Sequence, residues 1–270
     1  MEEIRIYCEN DRRYHTFPMG TDLKTISDSI YPSASLAALV NNQLKELSFK
    51  IMTTNTVRFI DYDHPDGRRT YIRSLCFVLQ NVIREMYPDK VLVIDYSLPS
   101  GLYCEIREKE EMYDGRPKVY FVTDEELERI QARMKEIIDA DLPFEKTKQT
   151  LEDTVKLFEA NGQKEKVNLA RSLGRITYSV YYLDGQADTF YGPLTPSTGY
   201  LKTFDLIGFN NGFCLQYPMD GSYGKVLPIK RQSKLAGALK EHSDWCAIMN
   251  VKGVGTLNQC VRDGKITDLI

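Results

Sequence analysis

Few residues in this chain have types and spacings that could do chemistry. Three histidines, His15, His64 and His242, lie far apart among polar neighbours and read as surface or capping groups. Their scarcity removes the commonest general base and the commonest transition-metal ligand. The six cysteines, Cys8, Cys76, Cys104, Cys214, Cys246 and Cys260, include no Cys-x-x-Cys pair. That spacing fits neither a zinc knuckle nor a compact disulfide framework and predicts reduced, mostly buried thiols in a cytoplasmic protein. Among the carboxylates, Glu108, Glu110 and Glu111 read as a charged turn, while Asp124, Glu125 and Glu126 open a helix, where negative charge suits the dipole. The stretch with most to offer is "RTYIRSLCFVLQNVIREMYP", residues 69–88. As a helix it carries an apolar stripe of Ile72, Leu75, Cys76, Leu79, Val82, Ile83 and Met86. Its other face carries Arg73, Phe77, Gln80, Asn81 and Arg84. Arg73 and Phe77, four apart, project side by side, as two metal ligands or a base and its partner would.

A second candidate is the basic run "PIKRQSKLAGALK". Lys230, Arg231 and Lys234, flanked by Lys225 and Lys240, read either as a solvated helix face or domain contact, or as a contact for RNA or nucleotide phosphate. The net charge of -3 gives no general basic excess. No G-x-x-x-x-G-K-[ST] phosphate loop is present, and "GFNNGF" and "GVGTLN" read as turns. No apolar run approaches membrane-spanning length, and the charged start "MEEIRIYCENDRRYH" is not a signal peptide.

These groups must be positioned by about two domains, since 270 residues with 42% hydrophobic content can bury two cores. Residues 1–63 alternate as strand, strand, helix, strand, strand, with turns at "ENDR" and Asn41-Asn42 and Thr21 as a helix N-cap. That is a β-grasp order. "HPDGRR", residues 64–69, reads as a polar boundary turn. Residues 68–220 then read as helix, strands "KVLVIDYSL", "GLYCEIRE" and "PKVYFV", and two helices, "TDEELERIQARMKEIIDADLPF" and "TLEDTVKLFEANGQ". The first of those two carries the Thr123/Glu126 capping box. Antiparallel strands rich in aromatic and β-branched residues follow from residue 175. Residues 221–270 form a C-terminal segment. The expected class is α+β: a β-grasp unit, then a unit of helices and antiparallel sheet.

This order resembles the N-terminal half of threonyl-tRNA synthetase over roughly residues 4–218. The carrying phrases are "LAALVNNQLKEL", "SLCFVLQNVIREMYP", "SGLYCEI", "ELERIQARMKEII" and "YGPLTPSTGYLKTFDL". The first unit resembles a TGS domain, and the second resembles the editing domain shared with alanyl-tRNA editing proteins. In that family His-x-x-x-His on the helix and Cys-x-x-x-His on a later loop form the hydrolytic centre, a set suited to holding a metal or moving protons during deacylation. The matching positions here are Arg73, Phe77, Phe190 and Leu194, and all four are replaced. Arginine offers no lone pair, and phenylalanine and leucine carry no ligand atom. The resemblance therefore implies no catalytic residue, no metal and no cofactor in this chain.

Two readings of the four positions remain. A dead pocket is filled by apolar side chains, with Arg73 at its rim or paired with a carboxylate. Alternatively the pocket is converted to binding, with Arg73 on a phosphate and Phe77 or Phe190 stacking a base. The phrases "GRRTYIRSLCFVL", "YGPLTPSTGYLKTFDL" and "GVGTLN" also resemble the N-terminal region of bacterial uridine kinase-like nucleoside kinases. That likeness implies a regulatory or ligand-binding region preceding a kinase domain, which would be its partner and would use ATP and magnesium. A stand-alone RNA- or tRNA-binding module is the alternative, and an aminoacyl-tRNA deacylase is a further one.

Overall fold

In the computed structural model, residues 2–31, 35–99, 101–113, 116–219, 224–228, 233–249, 251, 253–265 and 267 are described, with backbone only at 110–113, 116, 117, 233 and 236. Strands β1 (Glu3–Cys8) and β2 (Arg13–Pro18) form a hairpin, followed by α1 (Leu23–Ile30). The N-cap of α1 is Asp22, not Thr21: its carboxylate accepts the Thr25 amide at 2.8 Å. Strands β3 (Ala37–Val40) and β4 (Gln43–Lys45) turn through Asn41 and Asn42, whose φ values of 48° and 64° suit asparagine. Strand β5 (Asn55–Ile60) returns parallel to β1, giving the order β2-β1-β5-β3-β4. This is a β-grasp sheet. Ile4, Ile6, Val57 and Phe59 bury one face against Leu23 and Ile26 of α1.

Helix α2 (Pro65–Met86) follows at once. The six residues that read as a boundary turn are its cap and first turn: His64 Nδ1 accepts the Asp66 amide, and Pro65 opens the helix, where its missing N–H costs nothing. Gly67 is required because a Cβ there would lie 1.7 Å from the Asp61 carbonyl oxygen. Strands β6 (Lys90–Leu98), β7 (Gly101–Tyr113) and β8 (Arg116–Tyr120) come next. The charged stretch containing Glu108, Glu110 and Glu111 is thus part of a long strand rather than a turn. Helix α3 (Asp124–Asp139) has both halves of its capping box and buries Leu127, Ile130, Met134, Ile137 and Ile138.

Strand β9 (Glu145–Thr150), helix α4 (Leu151–Ala160), helix α5 (Lys164–Ser172) and strands β10 (Thr177–Leu183) and β11 (Gln186–Thr189) complete one group. Strands β12 (Asp205–Phe209) and β13 (Gly212–Gln216) close a second sheet. The sheets run β11-β10-β9 and β12-β13-β7-β6, with β8 on β7, and every pairing in them is antiparallel. Helix α6 (Ser233–Ile248) bonds β6 through Ser243 and Asp95, and α7 (Val254–Arg262) lies on α5. "GVGTLN" is the start of α7, not a turn, and Gly255 lets its backbone approach Glu165 and Leu169.

Helix α2 runs through the middle of the second unit. Its apolar stripe meets the large sheet and α3, with Cys104, Ile106, Met134, Phe213 and Leu215 in the same core. Its other face is covered as well. Phe77 is fully buried, Asn81 donates to the Leu183 carbonyl at 2.8 Å, and Arg84 donates to Ala187 and Asp188. Periodicity assigns these residues outward because they are polar or lie off the stripe, but polar side chains bury readily when backbone carbonyls receive their hydrogen bonds.

Candidate functional site

The structure brings the four substituted positions to one place. Phe77 lies one turn beyond Arg73 on α2, and Phe190, just past β11, sits with its ring 5.1 Å from that of Phe77. Phe144 stacks on Phe77 from the other side at 5.9 Å, and Tyr181 meets Phe190 edge-on at 6.1 Å. Leu194 is buried in the same cluster. The result is an aromatic plug where a hydrolytic centre would need a water and a ligand set. Among the described residues no three His, Cys, Asp or Glu side chains converge as a metal site. Phe77 is fully buried and presents no face on which a base could stack, whereas Phe190, the other ring of that reading, is only partly buried.

Arg73 is half-buried beside the plug and is held by backbone and hydroxyl oxygens rather than by a carboxylate. Its Nη1 donates to the Tyr191 carbonyl at 2.8 Å and its Nη2 to Thr70 Oγ1 at 3.2 Å, and no carboxylate is within ion-pair distance among the described residues. The contact shapes the loop after β11. Gly192 adopts φ 137°, and a Cβ there would fall 2.0 Å from Arg73 Nη1. The Thr195 amide donates to Ser74 Oγ at 2.9 Å, one helical turn along α2 from Thr70. Arg73 therefore works as a backbone clamp, and burial pulls its basicity below the usual arginine value. Cys76 gives no substitute nucleophile. Its thiol packs against the core, and burial raises its pKa to about 12.

One charged group at the site is invisible to spacing. Asp188 is fully buried at the end of β11 and accepts from Arg84 Nη2 at 2.9 Å, from Gln163 at 3.1 Å and from Lys166 Nζ. Burial works to raise its pKa, but the Lys166 and Arg84 charges outweigh it and hold the carboxyl below its usual range. Burial pulls Lys166 the other way, below the usual lysine value. Arg84 and Lys166 lie 104 and 22 residues from Asp188, and "YYLDGQADTFYG" holds two acids, Asp184 and Asp188, so nothing in the sequence marks which of them is buried.

The two units meet beside the plug. Lys146 of β9 donates to both carboxylate oxygens of Glu46, at 2.7 and 2.9 Å. Tyr62 stands edge-on to Tyr71 at 5.0 Å and donates to the Pro218 carbonyl. A recess of about 480 Å³ lies along this seam, lined by Lys24, Lys50 and Lys146 but also by Asp22 and Glu46. A second recess, of about 380 Å³, lies between α5, β10 and the loop of Phe190, Tyr191 and Gly192. Of the basic run, Lys230 and Arg231 lie outside the described residues, and Lys234 is exposed at the start of α6.

No family model matches the chain. Over 191 residues it is 29% identical to the threonine–tRNA ligase of Carboxydothermus hydrogenoformans, covering 70% of this chain and 28% of that protein. The enzyme of the same name from Acetivibrio thermocellus is 29% identical over 192 residues, 70% of this chain and 29% of the ligase. That of Francisella tularensis is 26% identical over 199 residues, 73% of this chain and 30% of the ligase. Most of this chain is thus similar to part of a threonine–tRNA ligase. It spans less than a third of the length of these relatives. No described helix is long and apolar enough to cross a membrane.

Proposed function

We propose that this chain is a non-hydrolytic RNA-binding module on a synthetase editing scaffold, with tRNA as its first candidate ligand. The observation that carries the proposal is the aromatic plug. Phe77, Phe144, Phe190 and Tyr181 interlock where the resemblance puts a set of three imidazoles and a thiolate, within an α+β architecture. Packing of that quality stabilises the scaffold and excludes the water that ester hydrolysis consumes. Likeness to threonine–tRNA ligases supports a tRNA-facing role ahead of the nucleoside-kinase context, which rests on sequence phrases alone.

The domain limits proposed from sequence, 1–63, 68–220 and 221–270, go with this reading, the first two as the scaffold. The test is binding of a transcribed tRNA followed by fluorescence anisotropy across a salt series. The module binds saturably, and affinity falls linearly in log–log form as salt rises. Alanine at Lys230 and Arg231 asks whether the basic run contributes. Absence of RNA binding at low salt overturns the proposal.

A further inference from the structure

The smaller recess differs in chemistry from the plug and from the seam. Its lining includes two cationic side chains, Lys166 and Arg175, and no carboxylate. Lys166 is paired with the buried Asp188, which Arg84 also bonds, so two cations face one carboxylate and the group keeps a net positive charge behind the opening. Arg175 is exposed and has no carboxylate partner among the described residues. Ser179 and Thr189 add hydroxyls to the wall. One flank of Phe190 belongs to the plug, yet the same residue lines this recess. Tyr191 stands at the mouth, 63% exposed, with the Arg175 guanidinium 5.7 Å from its ring centre.

That combination suits one ligand chemistry. The Arg175 guanidinium, the hydroxyls of Thr177, Ser179 and Thr189 and the net positive group of Lys166, Arg84 and Asp188 behind them favour a phosphate, which arginine binds by charge-assisted hydrogen bonds. An exposed tyrosine with a guanidinium over its face is the surface on which a nucleobase stacks. Tyr191 is held in place for this: its carbonyl is clamped by Arg73, and Gly192 behind it has no space for a side chain. A recess of about 380 Å³ is of ligand-pocket size and admits a mononucleotide.

We propose that this recess binds a nucleoside phosphate, with Arg175 on the phosphate and Tyr191 against the base. The inference does not depend on the RNA reading, because a free nucleotide and a nucleotide at an RNA end present the same chemistry.

The experiment is calorimetric titration of the full chain with adenosine 5′-monophosphate, with inorganic phosphate, and with adenosine monophosphate in the presence of a short single-stranded RNA. The expected result is saturable nucleotide binding that weakens roughly tenfold in Arg175→Ala. Tyr191→Ala also weakens nucleotide binding but leaves the weaker phosphate binding unchanged, whereas Tyr191→Phe binds like the parent. Both positions are exposed, so these variants keep the fold, and matching circular dichroism verifies it. Competition by the RNA identifies an RNA nucleotide as the occupant, and its absence identifies a free nucleotide. The proposal is overturned if the nucleotide does not bind, if inorganic phosphate binds as tightly, or if Arg175→Ala and Tyr191→Ala bind like the parent. A chain that binds tRNA but not the nucleotide would remove this recess as a site and leave the RNA reading standing.

Discussion

At the residue scale, two kinds of burial hold the site, and they fail differently. Phe77 is a fully buried aromatic between two other rings, and Phe77→Ala leaves a cavity rather than a working pocket. The expected loss is about 3–5 kcal/mol of folding stability, measured by urea unfolding, with no gain of deacylase activity. Asp188 is a buried charge answered by Arg84 and Lys166. Asp188→Asn leaves those cations uncompensated and costs roughly 3–5 kcal/mol by the same measurement. The pH dependence of this group has a definite sign. Its folded carboxyl titrates below the ordinary value of 3.8, so the unfolded chain takes up the proton first as pH falls. The stabilisation is complete above that value and is lost as pH drops through it toward the lower folded value. In Asp188→Asn this acid-limb contribution is absent.

Helix α2 shows at the scale of the element what a sequence tells and what it hides. Its apolar stripe is legible because its side chains recur at helical spacing, and Leu75, Cys76, Leu79, Val82, Ile83 and Met86 do meet the core. Its second face is not, since Ser74 and Asn81 are buried and Arg84 is half-buried, each giving hydrogen bonds to distant backbone and side-chain groups or accepting them. A helix covered on both sides defeats a reading built on one dry face and one wet one. Helix α3 was legible in full, because its cap and its period agree. Strand β9, "EKTKQT", left no apolar alternation to read: it is the edge of its sheet, paired only with β10, and mostly exposed. The loop after β11 depends on Gly192, whose φ of 137° and contact with Arg73 both exclude a Cβ. Gly192→Ala is expected to displace the Arg73 clamp and cost about 1–3 kcal/mol, read from chemical denaturation.

Across the whole molecule, the β-grasp order was legible from alternation and turn chemistry, and the four positions Arg73, Phe77, Phe190 and Leu194 could be singled out only through resemblance. The plug itself needed three-dimensional packing to appear, since Phe144 and Tyr181 lie far from Phe77 in sequence. The units are tied by Tyr62 against Tyr71 and by the Lys146–Glu46 pair at the surface of the seam. A double-mutant cycle on Lys146 and Glu46 is expected to give a coupling below about 1 kcal/mol, because ion pairs open to solvent contribute little. The aromatic contact is therefore expected to carry more of the union, and Tyr71→Ala to loosen it more than either seam substitution.

The most direct test of the central claim follows binding and ester hydrolysis together. A mischarged tRNA is mixed with excess purified chain, anisotropy reports the complex, and the aminoacyl bond is followed over the same interval. The account predicts saturable binding, with the ester decaying at its protein-free rate. Protein-dependent loss of the ester would contradict it, and so would a tRNA that stays free.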